Sequence, residues 1–425
     1  MSFAQNGPGG VGNTNGTSDL SLWLKADQIN QISGTSVTSW LDASGHENNA
    51  IGGGNAPIIL DDQLYGHSTV NFSSLGEQSL RINHDGSLNS DYVTVFVVGR
   101  MNSTSHSKGT YLVKTSSKSL DDGYGLIRLN SKEKVRFFAG DYGVNRDSEH
   151  FHYSIFDLVV GNFRTGSTNE KITAMINNVG SSTTVTNTNV SSNNNMYLGA
   201  RPGSGGYLKS FLDGDIAEVV ILSKDLPSTQ RIIVSNYLAA KYGFAISNDK
   251  YAYHSTHPND VIGIGRYDNY THATSISGVL ELAEKPGAPL TNGTFLMVGH
   301  DGASLKTITS NLPVEFSQRY QRTWRSHSNG NITKEKVKFH INPDNMPTNI
   351  SDYALLLDYD GDADFSNAIV VTPDNFDLAT NVVEFNNIHL HTGAVFTLAF
   401  YKAITWDGTN FANGSGLLEA PDQTD

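Results

Sequence analysis

The chain has 425 residues with 41 glycines, and it contains no cysteine, so disulfides, thiolate metal sites and cysteine nucleophiles are excluded. Its 29 basic residues stand against 42 acidic ones, a net charge of −13 at neutral pH. That balance argues against nucleic-acid binding through phosphates and against an anionic membrane surface.

No stretch approaches eighteen apolar residues, so no membrane insertion and no signal peptide are expected. Residues 1–18 are rich in Gly and Asn and read as a linker, and the whole reads as a monomeric piece of a longer polypeptide. From Leu20 to Leu222 about ten short segments alternate apolar and polar residues between turn signals, the pattern of a two-sheet sandwich. The run from Tyr92 to Arg100 is too continuously apolar for a surface strand and belongs at a sheet centre. Residues 180–195 read as a hairpin edge by their Thr/Val alternation, with disorder as the alternative. Pro227 suits a first helical position and Gly243 the residue after the last turn. Between them Ile233, Val234, Tyr237, Leu238 and Tyr242 make one apolar helical stripe that needs a sheet to lie on. Alternation resumes from Val261 to Ala403 and predicts a second, smaller antiparallel β-sandwich of about eight strands. The expected organisation is a linker 1–18, a first domain 19–247, a second domain 248–410 and a tail 411–425.

Three stretches of the first half carry a family likeness: Asp19-Leu-Ser-Leu-Trp-Leu-Lys-Ala-Asp27, Val37-Thr-Ser-Trp-Leu-Asp-Ala-Ser-Gly45 and Gly214-Asp-Ile-Ala-Glu-Val-Val-Ile-Leu222. Together with the helix from Leu226 to Gly243, they resemble laminin-G-like, concanavalin A-like modules of large secreted bacterial adhesins. The resemblance implies an all-β fold: a concanavalin A-like jelly-roll sandwich closed by one helix. It implies adhesion to carbohydrate or protein ligands, frequently with calcium, and for a minority of members glycan cleavage. The second half, through Val261–Asp268 and Leu355–Phe365, looks like the companion β-sandwich that follows such modules.

The sharpest local feature is the run Asp358, Asp360, Asp362 and Asp364 around Gly361. Four carboxylates at alternate positions suit a flexible oxygen cage for calcium, and they equally suit a tight turn capped by its own aspartates. The EF-hand pattern fails, because the twelfth position from Asp358 is Ile369. Asp42 with Ser44, and Asp213 with Asp215, are competing acidic turns. For a sugar, an exposed aromatic beside planar hydrogen-bonding groups is needed, and the loop from Ala200 to Tyr207 offers Arg201 and Tyr207 between glycines. Trp324 sits among arginines and aromatics and is the third ligand-binding candidate, with an edge-covering strand as its bland counterpart. Trp23 and Trp40 read as core.

No catalytic residues are expected. The paired carboxylates of a glycosidase have no compact motif here, and His150/His152 and His389/His391 lack a third metal ligand. A nucleophile elbow and a P-loop are both missing. The sequence reads as a non-covalent, carbohydrate-binding or structural segment of an extracellular bacterial-surface adhesin, partnered by a glycan or cell-surface ligand and by neighbouring domains. A purely architectural spacer and a glycan-cleaving enzyme are the alternatives.

Overall fold

The computed structural model describes residues 7–102, 108–116, 119–128, 133–164, 170–185, 190–330, 332, 335–341, 347, 349–401, 405–406 and 411–412. The fold is all-β with one α-helix, Ser228–Tyr242, among the described residues, and every strand ladder is antiparallel. The chain divides into two compact units. The first comprises Gly12–Pro227 with Tyr242–Asn248; the second comprises Met1–Val11, Ser228–Lys241 and Asp249–Asp425. The helix is therefore grouped with the second unit, where the sequence reading had assigned it to the first domain.

The first unit is the expected jelly roll, a continuous sheet folded into two layers. One layer runs Leu20–Lys25, Gly214–Leu222, Tyr92–Met101, Asp157–Arg164, Glu170–Ile176 and Val179–Val185. The other runs Ser36–Trp40, Ala50–Gly52, Leu80–Ile82, Met196–Leu198, Gly109–Lys114, Tyr124–Arg128, Lys134–Ala139 and Asp141–His150. Alternate residues of both layers, among them Val93, Val95, Val97, Leu80, Ile82 and Leu126, fill one core, as the two-residue period of a strand dictates. The strand Tyr92–Met101 lies between two neighbours and is buried on both faces, which explains its unbroken apolar run. Glu170–Ile176 and Val179–Val185 form a hairpin whose turn, Asn177-Asn178, takes positive φ at both positions, the geometry that matches strand twist. Residues 186–189 of the predicted edge lie outside the described residues.

Two buried carboxylates stabilise this unit. Asp215 accepts from Arg100 Nε at 2.7 Å, Thr69 Oγ1 at 3.2 Å and Asn71 Nδ2 at 3.1 Å. Glu218 accepts from Trp23 Nε1 at 2.7 Å and Tyr242 Oη at 2.9 Å. Trp23 and Trp40 are core residues, as expected. Gly243 has φ 65°, and a Cβ there would stand 2.6 Å from the Tyr65 ring, so both the helix stop and the approach of Tyr65 require glycine.

The second unit is a sandwich of a nine-stranded and a five-stranded sheet. In the larger sheet Val395–Tyr401 is the hub, pairing with Phe316–Tyr320, Trp324–Asn329 and Tyr353–Asp358. Glu335–His340 and Val382–Ile388 are central in the smaller one. The helix differs from its predicted amphipathic character, because even Thr229, Ser235 and Asn236 are buried. Within the unit Thr229 Oγ1 donates to the carbonyls of Tyr267 and Tyr270, and Asn236 Oδ1 accepts from Lys250 N at 2.6 Å. Pro8–Val11 is buried too, contrary to a free linker: Gly9 lies against Ile233, and its carbonyl accepts from Ser275 Oγ at 2.9 Å. Glycine is obligatory in this strap, for Gly10 has φ 78° and a Cβ there would fall 1.8 Å from Ser275 Oγ. The tail 413–425 lies outside the described residues.

Candidate functional site

An open groove of about 830 Å³ lies on the outer face of the first unit. Ile51, Arg81 and Tyr197 form a row across it, because Arg81 is the register partner of Ile51 in one neighbouring strand and of Tyr197 in the other. Strand alternation forces the arrangement. Ala50, Leu80, Ile82, Met196 and Leu198 are committed to the core, so the residues between them face outward. Tyr197 is half-buried against a small apolar cluster of Val113, Leu120, Ile127 and Phe138, which holds its ring in place. The apolar Ile51, 39% exposed, lies at the other end of the row.

Tyr207 and Phe211 also line the groove, as do the glycines 52–54, Asn55, Glu77 and Ser79. The turn that presents Tyr207 depends on Gly205 and Gly206, with φ 68° and 85°, and is closed by Gly203 N donating to Tyr207 O at 2.7 Å. Tyr207 is thereby 79% exposed. A Cβ added at Gly53 or Gly54 would meet nothing within 4 Å, so this side of the groove is open. Aromatic rings, a guanidinium, one carboxylate and an amide share one concavity, the combination that recognises polar rings with apolar faces.

Of the residues expected from sequence, Tyr207 lies in this groove. Arg201 does not line it; it sits in the short ladder Arg201–Pro202 with Leu208–Lys209, and its Nε donates to Ser210 Oγ at 3.1 Å, supporting the loop that carries Tyr207. Trp324 is corrected outright. It is 2% exposed and packs in the core of the second unit against Phe339 and Phe396, with ring centroids 5.3 and 6.1 Å away, so it presents no platform to a ligand. Strand alternation turns it inward, while the next residue, Arg325, faces the other way.

Three of the four aspartates, Asp358, Asp362 and Asp364, serve their own turn and the short helix after it. Asp358, 3% exposed, accepts from the backbone N–H of Asp360 at 2.8 Å, Gly361 at 3.0 Å and Ala363 at 2.8 Å. Asp362 accepts from Asp364 N at 2.8 Å, and Asp364 caps the next short helix by accepting from Ser366 N at 3.0 Å, which lowers its pKa. Among the described residues no three acidic, His or Cys side chains converge as a metal group. Asp42 likewise orients a turn, accepting from Trp23 N, Ser44 N, Ser44 Oγ and Asn48 N. His389 and His391 lie 5.9 Å apart by ring centroid, and the side chain of His150 lies outside the described residues.

Arg81, Tyr197 and Glu77 were missed from sequence. The alternation of Leu80-Arg81-Ile82 is a signal that could have marked Arg81 as outward, yet nothing local joins it to Tyr197, 116 positions away in the numbering. Lys114 was also missed: it is fully buried, donating to the carbonyls of Ser192 at 2.6 Å and Asn194 at 2.8 Å, and burial pushes its pKa down to about 8. It pins the loop that precedes Tyr197.

Residues 230–394 match the model of a domain of unknown function, DUF8202, a span shorter than half the chain. No curated protein matches. Among solved structures, the binding domain of botulinum neurotoxin serotype D is 12% identical with a TM-score of 0.38, covering 86% of this chain and 82% of that one. The serotype D/C binding domain gives 10% and 0.36, covering 91% and 95%. Trypanosoma rangeli sialidase in complex with 2,3-difluorosialic acid gives 14% and 0.34, covering 56% and 36%. At TM-scores below 0.5 these likenesses assign neither a fold family nor a function to the chain.

Proposed function

We propose that the first unit is a non-covalent glycan-binding module of an extracellular bacterial protein, and that the groove around Tyr207 is its site. The observation that supports this reading is a 79%-exposed tyrosine, held out by a glycine turn, that shares one concavity with Tyr197, Phe211 and the planar polar groups of Arg81, Asn55 and Glu77. The faces of pyranose rings are apolar C–H surfaces that stack on aromatic side chains, and their hydroxyls take the planar donors and acceptors around them. Binding without cleavage fits the lining, where Glu77 is the only carboxylate, because glycoside hydrolysis commonly needs two opposed across the bond.

The test is a glycan array with the whole chain, followed by titration of the best sugar against Tyr207→Ala. Loss of at least about tenfold in affinity at unchanged melting temperature is expected, since burying an aromatic contributes on the order of 1–3 kcal/mol. Run once in calcium and once in chelator, the array should show the same sugar in both, because the groove gathers no carboxylate cage. An array silent in both conditions, or a Tyr207→Ala variant that binds as well as the parent, would leave the architectural reading in its place.

A further inference from the structure

We infer that the sugar held in this groove carries an isolated carboxylate, and that Arg81 receives it; this rests on the glycan reading and narrows it to sugar acids. Arg81 stands at the middle of the Ile51–Arg81–Tyr197 row, and it is the only Lys or Arg among the residues lining the groove. Among the described residues its guanidinium has no hydrogen-bond or ion-pair partner, Glu77 included. With Ile51 and Tyr197 on either side, its methylene stem lies on apolar ground and its head is left to the groove. A guanidinium presents a rigid fork of donors that fits a carboxylate bidentately, and charge-assisted pairs of this kind are the stronger hydrogen bonds.

The rest of the lining limits the ligand further. Glu77 accepts hydroxyl protons but repels a second negative group, and Asn55 is neutral. The chain as a whole carries −13, so a polyanion approaches against the field of the entire molecule. A single sugar acid at a chain end or branch satisfies Arg81 without that penalty. A sulfated or polyuronic polymer does not.

The experiment uses the whole chain and oligosaccharides ending in glucuronic acid or in N-acetylneuraminic acid, each paired with its carboxyl-reduced alcohol, with heparin as the polyanion. One acid is expected to bind at least about tenfold more tightly than its alcohol. Arg81→Gln should bring that acid down to the level of the alcohol, and Arg81→Lys should recover part of the loss. Tyr207→Ala should weaken acid and alcohol alike. Alcohols bound as tightly as acids, with Arg81→Gln without effect, would overturn the carboxylate inference and leave the glycan reading standing. Heparin bound above every single acid would overturn the restriction to isolated charge. If neither acids nor alcohols bind while the array shows a neutral sugar, the carboxylate inference falls alone; if the array is silent too, both readings fall together.

Discussion

Glu335 is the residue whose environment most directly sets a solution property. It is buried, accepts from Lys285 N at 3.1 Å, and is pushed up to about 7 by desolvation, with the nearby Glu284 adding to the effect. An acid raised in the folded state leaves stability intact below its unfolded pKa near 4.5 and withdraws it as pH climbs through 7. Buried His257, between Thr256 and Thr323, is lowered to about 4 by the same cause, so its contribution is intact above 6.5 and is withdrawn as pH falls towards 4. The two slopes oppose each other between roughly pH 4.5 and 6.5. Melting temperatures of the second unit across pH 4–8 should therefore separate under substitution. Glu335→Gln, which keeps an acceptor for Lys285, gains stability above pH 7, at most about 3.5 kcal/mol at ~1.4 kcal/mol per unit. His257→Gln should flatten the acid side alone. An unchanged profile for both would show that neither group stays in its buried state. None of this was legible in the sequence, where Glu335 and His257 are two polar residues of short strands and turns. The aspartate run shows a different limit: the alternate spacing was plain, but a carboxylate cage and a self-capped turn write the same letters.

Among the elements, the helix Ser228–Tyr242 and the strap Pro8–Val11 show what local pattern conveys and what it does not. Pro227, Gly243 and the three- and four-residue spacing located the helix almost to the residue. Its polar residues looked like a solvated face because the carbonyls that satisfy Thr229 lie about forty positions away, at Tyr267 and Tyr270. The strap was misread for a related reason. Glycine-rich sequence usually marks a loop, whereas here the missing Cβ lets Gly9 and Gly10 lie flush against Ile233 and Ser275. Gly10→Ala should therefore cost the second unit about 2–4 kcal/mol, adding positive-φ strain to a steric clash. Urea unfolding followed at Trp324, a buried tryptophan of that unit, reads this out. A midpoint shift below half a molar would mean that the strap leaves its seat freely.

At the scale of the molecule, the all-β class, a two-sheet sandwich and the central strand followed from alternation, and the jelly roll from the family resemblance, but the groove did not. Its row is assembled from Ala50–Gly52, Leu80–Ile82 and Met196–Leu198, strands of three residues each, of which only the last stood out in the sequence, and their neighbourhood is a matter of long-range register. Tyr207 alone was visible, as an aromatic among glycines. Division of the chain at residue 247 should fail as a dissection: a 248–425 fragment, lacking the helix and strap, is expected to show a broad, non-cooperative melt, and a cooperative one would refute the grouping of those segments with it. The second unit draws its pieces from three places, Met1–Val11, Ser228–Lys241 and Asp249–Asp425. During synthesis, then, the strap Pro8–Val11 leaves the ribosome before the jelly roll and waits unmated through the whole of it, and the unit cannot settle until the strands beyond Asp249 emerge. The jelly roll, once Asn248 has cleared the exit tunnel, is under no such delay, so the growing chain carries a finished jelly roll while its companion is still unfinished.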